Sequence, residues 1–364
     1  MFFIIFQLYI LTIISEVDTF NTLRIVIYGA GGIGATLGGW LTQGYDNVYL
    51  LARGENAKVL KTNGLILYKG NNNNPEPISV KIIEDLNELA NIDVVVIVVK
   101  NYDLEEVAMD ISKKLGDKPI IVGLQNGFEN QQILPKYFRK VVYGVIVQSG
   151  WRDKPGVFGT RGKGHLILGT PYNENQEIVE KIAKILNIGI RTRTTQEFQD
   201  AAHSKLILNL SNSTFTLISS DLKDDDAIFM LWNIFLNVYL EGIEVVKAAG
   251  YIEYKLRGLP SWKVMESGKN FDKTIAVNNF KQNIKYSWLN SMAQDIIHRQ
   301  KNQSELESLT GYLVKLADSL NIKIPYNRVI YELSKVQFKK TPYQSLPVEM
   351  VWKKINDSLN KKQS

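Results

Sequence analysis

The run LRIVIYGAGGIG at residues 23–34 constrains this chain more than any other segment. A short apolar strand leads directly into Gly29-Ala30-Gly31-Gly32-Ile33-Gly34, and a helix-compatible run, ATLGGWLTQG, follows. The spacing of Gly29, Gly31 and Gly34 is GxGxxG. The first glycine permits the tight turn, the second lets the backbone approach a pyrophosphate, and the third allows close helix packing. A helix that begins inside such a turn aims free N–H groups and the positive end of its dipole at an anion. A glycine turn without a ligand has the same residues. The strand before it and the helix after it favour a dinucleotide site.

Downstream, apolar β-branched runs alternate with amphipathic stretches: NVYLLAR, DVVVIVVK, PIIVGLQNG and KVVYGVIVQSG. That alternation predicts a doubly wound parallel sheet with crossover helices. Asn71 to Pro77 interrupts it and reads as a surface loop or hairpin turn. The glycine-rich stretch from Trp151 to Gly169 suggests antiparallel strands closing the sheet, and IGIRTRTT a further strand. Beyond about Glu197 strand signals nearly vanish. Asp224 to Ala249 reads as one long helix with Gly250 as its stop, and Ser304-Glu305-Leu306-Glu307 as a capping box opening a helix to about Leu320. The expected layout is an apolar leader at 1–22, a Rossmann-like domain at 23–196, an all-α domain at 197–340 and a frayed basic tail at 341–364. The leader lacks a basic start and a small-residue cleavage site. It reads as a translation start placed too far upstream in preference to a signal peptide or a packing segment, and the protein as cytoplasmic.

Composition removes several chemistries. The sequence has no cysteine, so disulfides, thiolate metal sites and a cysteine nucleophile are excluded. Its three histidines are scattered, and no metal site is expected. The formal charge of +6, from 43 basic and 37 acidic residues, is spread without a basic block. It suits a small anionic ligand, with neither nucleic acid nor membrane as a partner and a homodimer as an open possibility.

NAD-binding turns carry an acid at the end of the second strand for the ribose hydroxyls. Here that strand ends in Arg53, which cannot accept a hydrogen bond but can pair with a 2′-phosphate through its fork of donors. The predicted cofactor is NADPH. Read without a ligand, Arg53 is a strand terminus in water.

The segments GAGGIG, LLARGENAKVLKTNGL, DVVVIVVKNYD and LQNGFEN stand in the order and spacing of the ketopantoate reductase family, which this chain resembles from about Leu23 to Gln337. The resemblance implies a Rossmann-like domain followed by a helical one, as in 6-phosphogluconate dehydrogenase-like folds. It also implies NADPH-dependent reduction of 2-dehydropantoate to pantoate on the route to pantothenate. Lys100 and Asn126 would then serve the cofactor, and Asn126 the substrate also; by local sequence alone they are a strand terminus and a turn residue. Lys205 matches the family's catalytic lysine. Asn209 and Asn212 follow it at four and seven positions, on one helical face. An ammonium there can stabilise and protonate the alkoxide formed from a ketone, although in isolation Lys205 reads as a snorkelling residue. Ser291, in SMAQD, corresponds to a serine that binds the substrate carboxylate, and Glu305 to a catalytic acid; Asp295 reads as structural.

Departures fall around the expected pocket. Ser213 replaces a second asparagine, with Asn212 one position earlier. His203 replaces an aromatic residue, Glu129 replaces a glycine, and Asp295 to Glu305 is two residues longer. Ser213 is still expected to contact substrate. Alternatives are a reductase of another 2-keto acid or opine-type substrate and, in a different class, a non-catalytic NADPH sensor.

Overall fold

The structure is a computed structural model that describes residues 23–70, 75–283, 288 and 290–360. The apolar leader and the four asparagines at 71–74 lie outside the described residues. The chain divides into two compact units, residues 1–125 with 129–198, and residues 126–128 with 199–364.

The strands of the first unit are β1 (Ile25–Tyr28), β2 (Val48–Leu51), β3 (Ile66–Lys69), β4 (Lys81–Ile83), β5 (Val94–Ile97), β6 (Ile120–Gly123), β7 (Val141–Val147), β8 (Gly150–Lys154), β9 (Val157–Thr160), β10 (His165–Gly169) and β11 (Arg191–Thr194). Its helices are α1 (Gly32–Leu41), α2 (Gly54–Asn63), α3 (Asn101–Leu115), α4 (Glu129–Ile133) and α5 (Gln176–Gly189). Eight strands form one sheet in the order β11-β10-β7-β6-β5-β1-β2-β4. From β4 to β7 all neighbours are parallel. β1 and β5 are buried at every position, the continuous apolar burial expected of strands covered on both faces. The strand order reverses between β1 and β5, so the switch point lies beyond their C-terminal ends. The glycine turn follows β1 there, and Lys100 follows β5.

One expectation needs correction. β10 does return antiparallel on β7, but β8 and β9 leave the main sheet and pair with β3 in a separate three-stranded sheet. The glycines explain the departure. A Cβ on Gly32 would lie 2.4 Å from the Gly150 carbonyl oxygen, and one on Gly159 2.3 Å from the Trp151 ring. The hairpin thus packs on α1 instead of extending the sheet edge.

The second unit is helical: α6 (Phe198–Leu217, whose first residue belongs to the first unit), α7 (Asp225–Ala248), α8 (Trp262–Ser267), α9 (Lys273–Asn283), α10 (Ser291–Ala293), α11 (Tyr312–Ser319), α12 (Pro325–Gln337) and α13 (Val348–Asn360). α7 begins as predicted, with Asp224 Oδ1 accepting from the Ala227 amide at 2.8 Å, and Gly250 follows it at φ +90. It is the one helix among the described residues long and apolar enough to cross a membrane by length and composition. Here it is the centre of a core, packed by α9, α11, α12 and α13. The carboxylate of Glu241 on α7 is buried and accepts from the Tyr326 and Asn327 amides at 2.9 and 2.8 Å and from Asn327 Nδ2 at 2.9 Å. It caps the N-terminus of α12, which Pro325 opens.

Two further expectations change. The predicted frayed tail from Lys353 is helical through Asn360, because Val348, Val351 and Ile355 fall on one face and are buried in the core. The capping box at Ser304 is half formed. Ser304 Oγ accepts from the Leu306 amide at 3.3 Å, but the Glu307 carboxylate turns away to accept from the Tyr331 hydroxyl at 2.9 and 2.8 Å. The helix then opens with a π turn, Glu307–Gly311, before α11.

Candidate active site

In the first unit the glycine turn has the conformation that its spacing demands. Gly29 sits at φ +114, a region costly for a side chain, and a Cβ on Gly34 would lie 2.0 Å from the Gly29 carbonyl oxygen. Gly31 is exposed, and a Cβ there would meet nothing within 4 Å. Gly31 is the N-cap of α1 and, being glycine, offers no side-chain cap, so the amides of the first turn stay available to an anion. Ala30, Gly32 and Ile33 complete the turn, and the Ala30 amide donates to Leu51 O at 3.2 Å. Asn56, which no local motif singles out, is buried and secures the turn: its Nδ2 donates to Ala30 O at 3.1 Å and its Oδ1 accepts from the Gly156 amide at 3.0 Å.

Arg53 is exposed at the N-cap of α2. Its Nη2 donates to the Tyr28 hydroxyl at 2.8 Å, and Tyr28 donates in turn to Asp110 Oδ2 at 2.9 Å. Lys100 is the N-cap of α3 and half-buried.

In the second unit α6 carries the polar face predicted for it. Lys205 is half-buried, and no hydrogen bond or ion pair reaches its ammonium among the described residues. Burial lowers its pKa from the ordinary lysine value to about 8. Four residues on, Asn209 is buried, and its Nδ2 donates to Asn126 Oδ1 at 3.3 Å. Asn212 is half-buried further along, and beyond it Thr216 Oγ1 donates to Asn290 Oδ1 at 3.4 Å. Asn290 caps α10, accepting from the Met292 and Ala293 amides at 2.9 Å each, and so fixes Ser291 at the first position of that turn. Asp295 is buried and ion-paired with Arg299 at 3.0 Å.

Not every candidate shares this face. Ser213 is fully buried, donates to Leu210 O at 3.0 Å and hydrogen-bonds Thr310 Oγ1 at 2.9 Å. Its hydroxyl is committed to the core, so Ser213 offers no group to a substrate, whereas Asn212 is half-buried. Glu305 is only 3% exposed and precedes the π turn, so it does not occupy the first turn of an α-helix.

An aromatic cluster holds these groups in place. Phe128 stacks on Tyr312 at 4.2 Å and lies 4.3 Å from His203, which stacks on Tyr251 at 3.7 Å. His203 Nδ1 faces the Gln199 carbonyl at 2.8 Å and must donate to it, so Nε2 accepts from the Tyr312 hydroxyl at 2.9 Å. Burial lowers the His203 pKa to about 4, so the ring is neutral at physiological pH and does an aromatic residue's work two positions before Lys205. Gly127 lies at φ +82, where a Cβ would come 2.4 Å from Ser308 O of the π turn. Gly127→Ala is expected to cost about 1–3 kcal/mol and to displace Asn126. A urea titration that leaves stability and turnover unchanged would contradict this.

A doubly wound sheet with a glycine turn at its switch point, followed by a helical unit bearing a desolvated lysine, marks an oxidoreductase built from a Rossmann-like domain and a helical domain. The model of "Ketopantoate reductase PanE/ApbA" matches residues 25–173, and that of its C-terminal domain residues 197–337. The chain belongs to the ketopantoate reductase family. Among curated relatives, the 2-dehydropantoate 2-reductase of Pyrococcus horikoshii is 24% identical over 86% of this chain and 97% of its own length. That of Archaeoglobus fulgidus is 26% identical over 85% and 96%. Among solved structures, 2-dehydropantoate 2-reductase from Geobacter metallireducens superposes with a TM-score of 0.68 at 20% identity, covering 86% of this chain and 99% of that one. D-mandelate dehydrogenase with NADH and anilino(oxo)acetate gives a TM-score of 0.68 at 19% identity over 92% and 99%. At these identities the structural matches speak to the fold alone.

Proposed function

We propose that this chain reduces 2-dehydropantoate to pantoate with NADPH, and that Lys205 is the proton donor. The observation that carries this reading is the Lys205 ammonium, half-buried and without a counter-ion among the described residues, on the helical face that also presents Asn209 and Asn212. A charge desolvated without a partner is expensive in a purely structural role and valuable where negative charge develops during reaction. The curated relatives named 2-dehydropantoate 2-reductase support the choice of substrate.

The glycine turn and the open amides at the start of α1 fit a pyrophosphate, and Arg53 fits a 2′-phosphate better than a ribose diol, since it has donors only. Lys100 is assigned to the cofactor, and Asn126 to the cofactor and the substrate. When bound, the nicotinamide supplies the hydride. Lys205 stabilises the negative charge that grows on the C2 oxygen and transfers one Nζ proton to it, and its pKa near 8 makes it a stronger acid than an ordinary lysine. Asn209, held by Asn126, donates to the same oxygen or positions the ammonium. Asn212 and Ser291 bind the substrate's hydroxyl and carboxylate, and Glu305 assists Lys205.

Purified protein given NADPH and 2-dehydropantoate is expected to show loss of absorbance at the nicotinamide band. Turnover with a different 2-keto acid and none with 2-dehydropantoate would replace the substrate and keep the reaction class. Arg53→Ala is expected to raise KM for NADPH by roughly 10- to 100-fold, the size of a lost charge-assisted pair, and KM for NADH hardly at all. Equal effects on both cofactors would remove the phosphate role.

A further inference from the structure

One network in the first unit, centred on a buried tyrosine, has no part in the proposed reduction. Tyr28 is the last residue of β1, directly before Gly29, and is only 3% exposed. Its hydroxyl stands in a line of alternating charge. Arg53 donates to it, it donates to Asp110, Asp110 pairs with Lys114 at 2.8 Å, and Lys114 pairs with Asp85 at 2.7 Å. The Arg53 guanidinium also lies 5.8 Å from the centre of the Tyr28 ring, where cation–π attraction adds to the hydrogen bond.

The directions of these bonds are fixed by chemistry. Arginine can only donate, so the phenol accepts from it and must place its own proton on the Asp110 carboxylate. Burial and the neighbouring carboxylate push the phenol well above its ordinary pKa, so the proton stays. Tyr28 is therefore a neutral spacer between a cation and an anion. Direct pairing of Arg53 with Asp110 would occupy the fork of donors bidentately and set a carboxylate in competition with an incoming phosphate. Through Tyr28, only one N–H of Arg53 is engaged among the described residues, and the remaining donors and the full charge face solvent. Asp110 is in turn held by Lys114, so the anchor does not drift toward Arg53.

We infer that Tyr28, braced by Asp110, is a positioning residue that fixes the Arg53 guanidinium for the 2′-phosphate of the dinucleotide and so sets the preference for the phosphorylated cofactor. The inference rests on the NADPH reading above and extends it from Arg53 to residues that never touch the ligand. It gives the first sheet strand a second role, since the residue that leads into the pyrophosphate turn also orients the group that recognises the other phosphate.

Calorimetric titration of the full chain with 2′,5′-ADP and with 5′-AMP separates these roles without turnover, because the two ligands differ by the 2′-phosphate alone. Tyr28→Phe keeps the buried ring and removes the hydroxyl. It is expected to weaken 2′,5′-ADP binding roughly 5- to 10-fold, in line with one hydrogen bond to a charged group, and to leave 5′-AMP unchanged. Asp110→Asn should weaken 2′,5′-ADP in the same direction by a smaller factor. Arg53→Ala should abolish the preference for 2′,5′-ADP. If Arg53→Ala abolishes it while Tyr28→Phe binds like wild type, the positioning role is overturned and the NADPH reading stands. If Tyr28→Phe weakens both ligands equally, Tyr28 merely supports the glycine turn and the inference fails. If Arg53→Ala leaves the preference intact, the NADPH reading and the inference fall together.

Discussion

Lys205→Ala is expected to lower kcat for 2-dehydropantoate reduction by roughly 100-fold or more, the usual size of a lost general acid, with a much smaller change in NADPH affinity. The direction with pH follows from the lysine's environment. Burial lowers its pKa to about 8, so the ammonium proposed to donate the proton predominates below that value and is depleted above it. The rate should be flat from neutrality to about pH 8 and then fall about tenfold per pH unit as the donor is lost. Stability should move the other way. The native state carries the ammonium's desolvation without a counter-ion among the described residues, whereas the unfolded chain hydrates it fully. Lys205→Met keeps the shape, removes the charge and is expected to raise stability by about 1 kcal/mol while abolishing turnover, the trade expected of a functional charge. Loss of stability in Lys205→Met would mark the lysine as structural. Unchanged turnover in Lys205→Ala would sink the mechanism.

The second large effect lies in the helical core. Glu241 answers two backbone amides and one side-chain amide at the N-terminus of α12 from inside the core. Glu241→Ala leaves those donors buried and unpaired, at about 1–3 kcal/mol for each buried group orphaned, with partial relief as water enters. A net loss of about 3–5 kcal/mol is expected in denaturant unfolding. Glu241→Gln, which keeps one acceptor, should lose less. Equal losses in the two variants would mean that the carboxylate fills space and does not cap the helix.

The parts of the fold that were legible in the sequence were those written in local periodicity. The runs at Ile25–Tyr28, Val94–Ile97 and Ile120–Gly123 are apolar at nearly every position because parallel strands are covered on both faces. Asp224 and Gly250 bracket α7 because caps are local chemistry. Pairings between distant segments were not legible. Nothing near Ile66 announces that β3 will pair with Val157–Thr160, and nothing near Asn56 that its amide will bridge the glycine turn to Gly156. Helix α13 was available in principle: Val348, Val351 and Ile355 fall at helical spacing, but the lysines at 353 and 354 drew the segment toward a solvated tail.

At the site the same division holds. The spacing of Lys205, Asn209 and Asn212 places them on one face, and α6 is a helix as that requires. Ser213 lies in the core beside half-buried Asn212 because one residue is about 100° of helix rotation, enough to turn a side chain inward. His203 reads as a departure in sequence and works as an aromatic ring in the structure, since stacking on Tyr251 and packing against Phe128 ask only for a flat neutral ring. The line from Arg53 through Tyr28 to Asp110 joins residues 25 and 82 positions apart, beyond the reach of local pattern.

Hydride transfer from NADPH to the C2 carbonyl of 2-dehydropantoate is the reaction proposed for this chain. Incubation with NADPH deuterated at the transferable C4 position, followed by mass spectrometry of the acid product, tests it most directly. Pantoate one mass unit heavier, with the deuterium on C2, is the predicted result. Unlabelled or absent pantoate, while a different 2-keto acid in the same mixture acquires the deuterium, would contradict it.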